Sequence, residues 1–369
     1  MASGHRSASR PPLSADPPAL AGPTRRRLLA SAAATGLLAT GRPARAAAPG
    51  LRRAGAGLRW QGRPVHLYGP NFNAFTGDLG PAPHVAEIAT IAGLWGANCV
   101  RLLVAPAEYR ERSPEAFWAH LLPILDACER QRLFVILNWW CIGWPGGASQ
   151  DIDHWFRFTN YNDSSIPLWT RFWQDAATRL GDRGAIAFSL FDEPTAHYNP
   201  PETRFDRLDQ WYHVQPLYQD VIETIRATGA TNLLSLSGGH WAKDFSRWRE
   251  RPIDDPAGNF LASFHMFADG EWADFDRLVG GLDQEIPFLC GGWGYLPTDL
   301  AEPPDAGFTR WLETHAFPDG SFVGHCPWAH AIWSDPSALA TGWPRPEPAT
   351  LTAFGRYARA HIPDGLVRP

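Results

Sequence analysis

The chain has 369 residues, 44% of them hydrophobic, and its 33 basic and 38 acidic side chains give a formal charge of −5. This length and apolar fraction suffice for one large core and exclude a chain that is disordered throughout. The acidic balance gives no support for binding to nucleic acid or to an anionic membrane. The 18 tryptophans are the main compositional signal, because an indole ring offers a flat face and an N–H donor that suit sugar rings as well as a core.

Residues 1–46 have the pattern of an export signal. Arg25, Arg26 and Arg27 precede a weakly apolar run that continues to about Ala39, and residues 44–46 (Ala-Arg-Ala) supply a small-x-small cleavage site. The paired arginines indicate a twin-arginine (Tat) signal, and the apolar run is too short to cross a bilayer of about 30 Å. The alternative is an Ala/Pro-rich leader without a targeting role. We predict export to the periplasm or the cell exterior, with residues 47–369 as the mature domain.

Short apolar runs alternate with longer amphipathic segments from residue 58 onward, where residues 58–63 predict a small hairpin. Near-continuous apolar strands joined by helices imply a parallel sheet buried on both faces. Eight such units predict a single-domain (β/α)8 barrel, a TIM barrel, rather than an open doubly wound sheet. The predicted strands are 65–68, 99–104, 134–139, 186–191, 233–237, 261–266, 287–290 and 325–332. The predicted helices are 84–95, 116–130, 168–180, 208–228, 273–282, 306–314 and 350–360.

The cysteines and histidines do not indicate a metal site. The five cysteines include no CxxC pair, and the 13 histidines include no HExxH or H-x-H cluster. We interpret most of the cysteines as small core residues. Nucleotide-binding motifs of the types GxGxxG and GxxxxGK[ST] are also missing, so we predict neither a metal nor another cofactor.

In a barrel of this kind, catalytic residues lie at the carboxyl ends of the strands. The fourth predicted strand ends in Asp192, Glu193 and Pro194, and the proline stops the strand and places Glu193 at the barrel mouth. A carboxylate bounded by proline at a strand end is rarely needed for packing, so Glu193 is the strongest catalytic candidate. The other strands and strand ends supply Asn71, Arg101, Trp140, His265, Trp293 and Trp333.

This set of motifs resembles glycoside hydrolase family 5, the cellulase and mannanase type of barrel, over nearly all of residues 58–360. The motifs come in the family's order: a G-x-N-F opening, an N-x-V-R strand, an N-E-P-like strand end, an H-x-Y-like strand, a P-x-x-x-G-E-[FW]-G-like segment and a tryptophan on the last strand. The resemblance implies that Glu193 is the acid/base. It also implies a nucleophilic glutamate on the seventh strand, about 5 Å away, and cleavage with retention.

The sequence departs from the family pattern at that nucleophile. Gly292 stands where the glutamate is expected, although the flanking residues Pro287, Gly291, Trp293 and Gly294 all match. A glycine cannot form the glycosyl-enzyme intermediate, so standard retaining hydrolysis is not expected.

Three neighbouring positions depart as well, which indicates correlated divergence. Asp192 replaces the Asn that the family uses to bond the sugar 2-hydroxyl, and Phe267 replaces the Tyr that orients the nucleophile. Trp140 stands where family members usually have His.

Three interpretations follow. The first is a barrel with impaired catalysis, or none, that still binds β-linked glycans along a tryptophan-lined cleft. The second is an active inverting glycosidase, in which Glu193 is the acid and another carboxylate, roughly 6.5–9.5 Å away, activates water. The third is a transglycosylase-like or unrelated barrel enzyme. The candidate second carboxylates are Asp192, Glu108, Glu271, Asp299 and Glu302.

Each predicted substrate contact has a structural alternative. Arg101 needs a carboxylate partner if it is buried, and Asp192 or Glu193 could serve. His265 would bond a sugar or Glu193, or only fill the barrel interior, and Asn71 could merely cap the first turn. The predicted substrate-binding residues are Asp192, Arg101, Asn71, His265, Trp140, Trp293 and the preferred stacking ring Trp333. The expected partner is an oligo- or polysaccharide, bound by a monomer that engages neither nucleic acid nor a membrane.

Overall fold

The computed structural model describes residues 50–75, 79–147, 164–197, 206, 209–268, 270–294, 306–330, 339–340 and 346–369, and strands alternate with helices along them. The leader, residues 1–46, lies outside the described residues. The strands are β1 (Arg52–Ala54), β2 (Gly57–Trp60), β3 (Arg63–Val65), β4 (Leu67–Tyr68), β5 (Asn71–Asn73), β6 (Cys99–Val104), β7 (Phe134–Trp139), β8 (Ile142–Gly143), β9 (Ile186–Ser189), β10 (Glu193–Pro194), β11 (Leu234–Ser237), β12 (Phe260–Phe267), β13 (Phe288–Gly294) and β14 (Gly324–Pro327). The α-helices of five or more residues are Pro81–Trp95, Pro106–Glu111, Pro114–Arg130, Ile166–Leu180, Gln210–Ala227, Phe275–Val279, Ala306–Trp311 and Ala353–Ala360.

The parallel sheet closes on itself through its first barrel strand. That strand is interrupted at Gly69 and Pro70, which leaves β4 paired with β14 at one edge and β5 paired with β6 at the other. The strand order β4-β14-β13-β12-β11-β9-β7-β6-β5 therefore returns to its start. Gly69 is required at the break, because a Cβ there would lie 1.7 Å from the carbonyl oxygen of Cys99. The predicted (β/α)8 barrel is confirmed.

The amino-terminal floor of the barrel is covered by the antiparallel sheet β1-β2-β3, which confirms the hairpin predicted at residues 58–63. Leu58 and Trp60 are buried and pack into the barrel's lower core. The ring of Trp60 meets that of Phe134 edge to face, with centroids 5.4 Å apart. The floor is thus closed by apolar packing, and the opposite end is left for chemistry.

The larger part of the core lies between the sheet and the helices, and five tryptophans are completely buried there or against it: Trp118, Trp139, Trp169, Trp173 and Trp293. All five cysteines are buried, as expected for small core residues. None of the helices in the described ranges has the length and apolarity needed to span a membrane.

The predicted boundaries fail mainly in the last third of the chain. The helix predicted at 273–282 ends at Val279, because Gly280 and Gly281 take left-handed conformations with φ of 60° and 74°. The seventh barrel strand continues to Gly294 instead of ending at 290. The eighth ends at Pro327 instead of 332, since proline has no N–H with which to continue the ladder.

Candidate active site

Glu193 lies at the barrel mouth, as its position before Pro194 predicts. Beyond the fourth barrel strand, β10 pairs in parallel with β8, and Glu193 N–H donates to the Cys141 carbonyl at 3.2 Å. Thr195 N–H donates to the Gly143 carbonyl at 2.8 Å. The Glu193 side chain is 13% exposed. This short two-stranded extension fixes the carboxylate in a largely desolvated position that solvent still reaches.

His265, on β12, contacts Glu193 directly. Its Nδ1 lies 2.8 Å from Glu193 Oε1, and its Nε2 lies 4.0 Å from Asp192 Oδ1. Burial lowers the pKa of His265 to about 3, with a smaller opposing effect from Asp192. The imidazole is therefore neutral at ordinary pH and carries one N–H. Of the alternatives left open by the sequence, the structure contains the contact with Glu193.

Arg101 lies below the mouth and is completely buried. Its Nη2 donates to Asp192 Oδ1 at 2.6 Å and to Asn138 Oδ1 at 2.8 Å, and its Nη1 donates to Asn71 Oδ1 at 3.0 Å. Asp192 is 2% exposed, and burial raises its pKa although Arg101 opposes the shift. Arg101 and Asp192 thus form a buried ion pair, which favours the structural alternative over the predicted contact with substrate.

Asn71 belongs to the same buried network. Its Nδ2 lies within hydrogen-bond distance of three backbone carbonyls, those of Gly291, Cys326 and Pro327, at 3.1, 2.9 and 3.2 Å. With its Oδ1 accepting from Arg101 and no exposed surface, the amide has no atom left for a ligand. Asn71 therefore connects the first strand to the seventh and eighth, which favours a structural role over the predicted substrate contact.

Position 292 faces His265. Gly292 pairs with His265 between β13 and β12, just after a register shift at Phe264 and His265. A Cβ built on Gly292 would lie 3.2 Å from His265 Nδ1 and 3.3 and 3.4 Å from two ring carbons. Because φ at Gly292 is not left-handed, the backbone accepts any residue. The imidazole ring, however, makes a tight contact with the first carbon of any side chain at position 292 and would have to shift by a few tenths of an ångström.

Trp293 points away from the mouth, a position that does not favour the predicted contact with sugar. It is fully buried, its indole N–H donates to His325 Nδ1 at 3.3 Å, and its ring packs against Phe317 and Phe354. The reason is a bulge: Gly291 and Gly292 both approach His265 inside the barrel, and the residue that follows is turned outward.

We expect Trp293→Ala to lower the free energy of unfolding by about 3–5 kcal/mol, because it leaves a cavity between the sheet and the helices. Since Trp293 does not face the mouth, glycan affinity per folded molecule should stay unchanged. Urea denaturation and isothermal titration on the same sample check both expectations. A selective loss of affinity without a loss of stability would contradict this placement.

Two tryptophans face each other at the mouth. Trp140, 8% exposed, follows β7 and packs with Leu103 and Ala105, and Trp328 packs against this cluster. The ring centroids of Trp140 and Trp328 are 5.7 Å apart. Trp140 therefore presents little free surface, and Trp328, directly after β14, is the more open ring. The preferred candidate, Trp333, lies outside the described residues.

Trp333 was preferred as the stacking ring while the last strand was predicted to run to residue 332, and Trp328 was not singled out. Pro327 was the available signal for an earlier end. Four further tryptophans of the sequence were candidates for the tryptophan-lined cleft, and they divide between the core and partly exposed positions. Trp139 is in the core with Trp293, Trp144 is 9% exposed, and Trp241 and Trp272 are partly buried.

The candidate second carboxylates differ in their surroundings. Glu108 pairs with Arg112 at 2.9 Å, and Asp299 and Glu302 lie outside the described residues. Glu271, 28% exposed, follows β12 and lies 2.5 Å from Lys243 Nζ and 3.3 Å from His240 Nε2. Within the described ranges, no group of three or more His, Cys, Asp or Glu side chains could hold a metal ion.

His240 belongs to a turn that packs against Glu193 and Pro194. In this turn His240, Trp241 and Ala242 all have left-handed backbones, with φ of 51°, 55° and 61°. Three such residues in succession are costly for L-amino acids and are found where the surrounding structure enforces them. Because His240 contacts Glu271, this turn places the Glu271 contact on the side of the mouth where Glu193 lies.

Two buried histidines make stability depend on pH. Burial lowers the pKa of His265 and of His325 to about 3, against about 6.5 in an unfolded chain. As pH falls below about 6.5, the unfolded state binds protons that the folded state does not, so stability falls toward low pH and is unaffected above about pH 7. Each histidine contributes a slope of about 1.4 kcal/mol per pH unit between pH 6 and 4.

We therefore expect His325→Gln to make the free energy of unfolding less dependent on pH between pH 6 and 4, whatever its effect on stability at pH 7. Urea denaturation across this range measures the slope, and His213→Gln, at an exposed position, is the control. An unchanged slope in His325→Gln would show that His325 is protonated in the folded state.

Comparison with known proteins assigns the chain to a family. Residues 56–299 match the family model described as cellulase (glycosyl hydrolase family 5). A 124-residue stretch is 26% identical to endoglucanase A of Evansella cellulosilytica and covers 33% of this chain but only 23% of that relative. A β-glucanase structure from Saccharophagus degradans matches with a TM-score of 0.68 and 17% identity, covering 85% of this chain and 93% of the other. A β-mannanase structure from Streptomyces thermolilacinus, with mannohexaose, matches with a TM-score of 0.60 and 18% identity, covering 85% and 94%. The two structures support the fold, and the family model spans most of the barrel. This chain belongs to glycosyl hydrolase family 5.

Proposed function

We propose that this chain is an exported monomer that binds β-linked glucan or mannan chains across its barrel mouth, with Glu193 in the acid/base position, and that it does not carry out retaining hydrolysis. The observation that carries the proposal is the contact set around His265. The Glu193 carboxylate contacts His265 Nδ1. Gly292 faces the same nitrogen but has no side chain that could supply a second carboxylate there. An acid is thus held in place without the nucleophile that would complete a retaining pair.

The glycan class comes from the relatives and from the aromatic surface at the mouth. The structurally similar β-glucanase has been crystallised with cellotetraose and the β-mannanase with mannohexaose. In this chain Trp328, backed by Trp140, supplies an indole ring at the carboxyl end of the barrel. Such a ring suits the apolar face of a β-linked hexose.

Isothermal titration with cellotetraose and with mannohexaose tests the binding. We expect the wild type and Glu193→Gln to bind one of the two with affinities within a few-fold of each other, and Trp328→Ala to bind at least about tenfold more weakly. Trp293→Ala is the matched control, because it removes an indole from the core rather than from the mouth. No binding of either sugar by the wild type would remove the proposal.

A second candidate function is inverting hydrolysis with Glu271 as the base. It is favoured by one observation: Lys243 and His240 hold the Glu271 carboxylate on the turn that packs against Glu193. If this function is correct, the wild type hydrolyses the glycan and releases the α-anomer as its first product, and Glu271→Gln abolishes that hydrolysis. Glu285→Gln is the control, because that carboxylate forms an exposed ion pair with Arg249.

A further inference from the structure

The buried charges beneath the mouth are balanced as they stand. Arg101, without exposed surface, has Asp192 as its carboxylate partner at 2.6 Å, and Asn138 donates to the same Asp192 oxygen at 3.1 Å. The Nε of Arg101 has no hydrogen-bond partner among the described residues. One cation and one anion are therefore desolvated together, and each needs the other.

This ion pair reaches the strand that carries Gly292. Arg101 Nη1 donates to Asn71, whose Nδ2 is 3.1 Å from the Gly291 carbonyl. On the other side, Asp192 lies 4.0 Å from His265 Nε2, while a Cβ at position 292 would lie 3.2 Å from His265 Nδ1. A carboxylate extending from position 292 would therefore enter a space already bordered by the carboxylates of Asp192 and Glu193.

The positive charges nearby are already engaged. Arg101 is paired with Asp192. Lys243, the second cation whose charge lowers the pKa of His265, forms an ion pair with Glu271. His265 is neutral and adds no charge. A third carboxylate would meet two like charges in a poorly solvated site, with no further cation there among the residues that the structure describes, which disfavours its ionised form.

We infer that Asp192 is a positioning residue, the counter-ion of the barrel arginine, and that its charge excludes a carboxylate at position 292. The inference rests on the proposed function, because it explains why the nucleophile of a retaining pair is missing. Gly292→Glu alone should then fail to rebuild a retaining site. The additional change Asp192→Asn leaves Arg101 in need of an anion and makes a glutamate at position 292 acceptable.

A double-mutant cycle with a matched isostere tests this directly by thermal unfolding. Glu and Gln are each placed at position 292 in the wild type and in Asp192→Asn; both must displace the His265 ring, but only Glu adds charge. We expect Asp192→Asn alone to lower Tm by about 5 °C or more. Glu at position 292 should lower Tm more than Gln in the wild type, and this excess should disappear or reverse in Asp192→Asn.

The same experiment can also overturn the inference. If Glu and Gln differ by the same amount in both backgrounds, or if Glu is worse in Asp192→Asn, the charge of Asp192 does not exclude the carboxylate. Should the longer side chains prevent folding, Asp and Asn at position 292 repeat the comparison with less displacement of the ring. A glutamate that folds only in Asp192→Asn supports the inference, and one that fails in both backgrounds while Gln folds overturns it. Because no glycan is involved, this result is independent of whether the wild type binds sugar.

Discussion

Sodium azide is expected to accelerate cleavage of 2,4-dinitrophenyl β-cellobioside or β-mannobioside by the wild-type chain by about 100-fold, or ~2.7 kcal/mol in activation free energy. The reason is that Gly292 leaves the anomeric carbon without a protein nucleophile. Azide can supply one from the solvent side of the bound glycoside, because it is not anchored at position 292 beside the carboxylate of Asp192. Azide forms the new bond, dinitrophenolate departs with the electron pair, and the product is the α-glycosyl azide. Measuring released dinitrophenolate against azide concentration gives the acceleration.

The variant Glu193→Gln is the internal control for azide rescue. A dinitrophenyl leaving group needs no proton, so azide should accelerate Glu193→Gln as well, whereas a glycoside with a poor leaving group should respond only when Glu193 is present. If azide has no effect on a chain that binds the glycoside, or if the product is the β-glycosyl azide, the missing nucleophile is not the limiting defect.

Arg101→Met is expected to lower the free energy of unfolding by about 3–5 kcal/mol. The substitution leaves the buried Asp192 carboxyl group without its cation, and it also removes the donors to Asn71 and Asn138. Urea denaturation at pH 7 measures the effect. The surface pair of Arg183 with Asp126, 2.7 Å apart and with side chains 30% and 44% exposed, gives the control Arg183→Met, which should cost less than about 1 kcal/mol.

The cost of Arg101→Met should shrink when Asp192 loses its charge as well. Replacing both members of a buried pair by apolar groups is often close to neutral, because no unpaired charge remains. Arg101→Met combined with Asp192→Leu should therefore be more stable than Arg101→Met alone. Additive costs in the double variant would mean that the two side chains contribute independently.

The barrel was predictable because its central strands are apolar on both faces. The predicted strands 99–104 and 134–139 coincide with β6 and β7, whose residues are all buried and leave no alternative to a parallel sheet. Glu193 was predictable for a similarly local reason, since Pro194 ends its strand. Where backbone geometry is irregular, the pattern was less informative, as in the interrupted first strand and the left-handed glycines at 280 and 281.

The details of the site could not be read from spacing. The alternation of strand residues places Leu289, Gly291 and Trp293 on one face, but the bulge brings Gly291 and Gly292 inward together and turns Trp293 out. A bulge leaves no mark in the hydrophobic pattern when its residues are glycines. The burial of Arg101 and Asn71 and their hydrogen bonds could likewise not be predicted, because burial depends on neighbours that are distant in sequence. The alternative of a structural arginine paired with Asp192 did follow from the cost of burying its charge.

A proton NMR time course of cellotetraose and mannohexaose with wild-type protein, beside Glu193→Gln, tests the loss of retaining hydrolysis. We expect that the sugars bind but that new reducing ends appear no faster than with Glu193→Gln. Release of the β-anomer as first product, at a rate that Glu193→Gln abolishes, would contradict it, because retention requires a nucleophile in the position that Gly292 leaves empty.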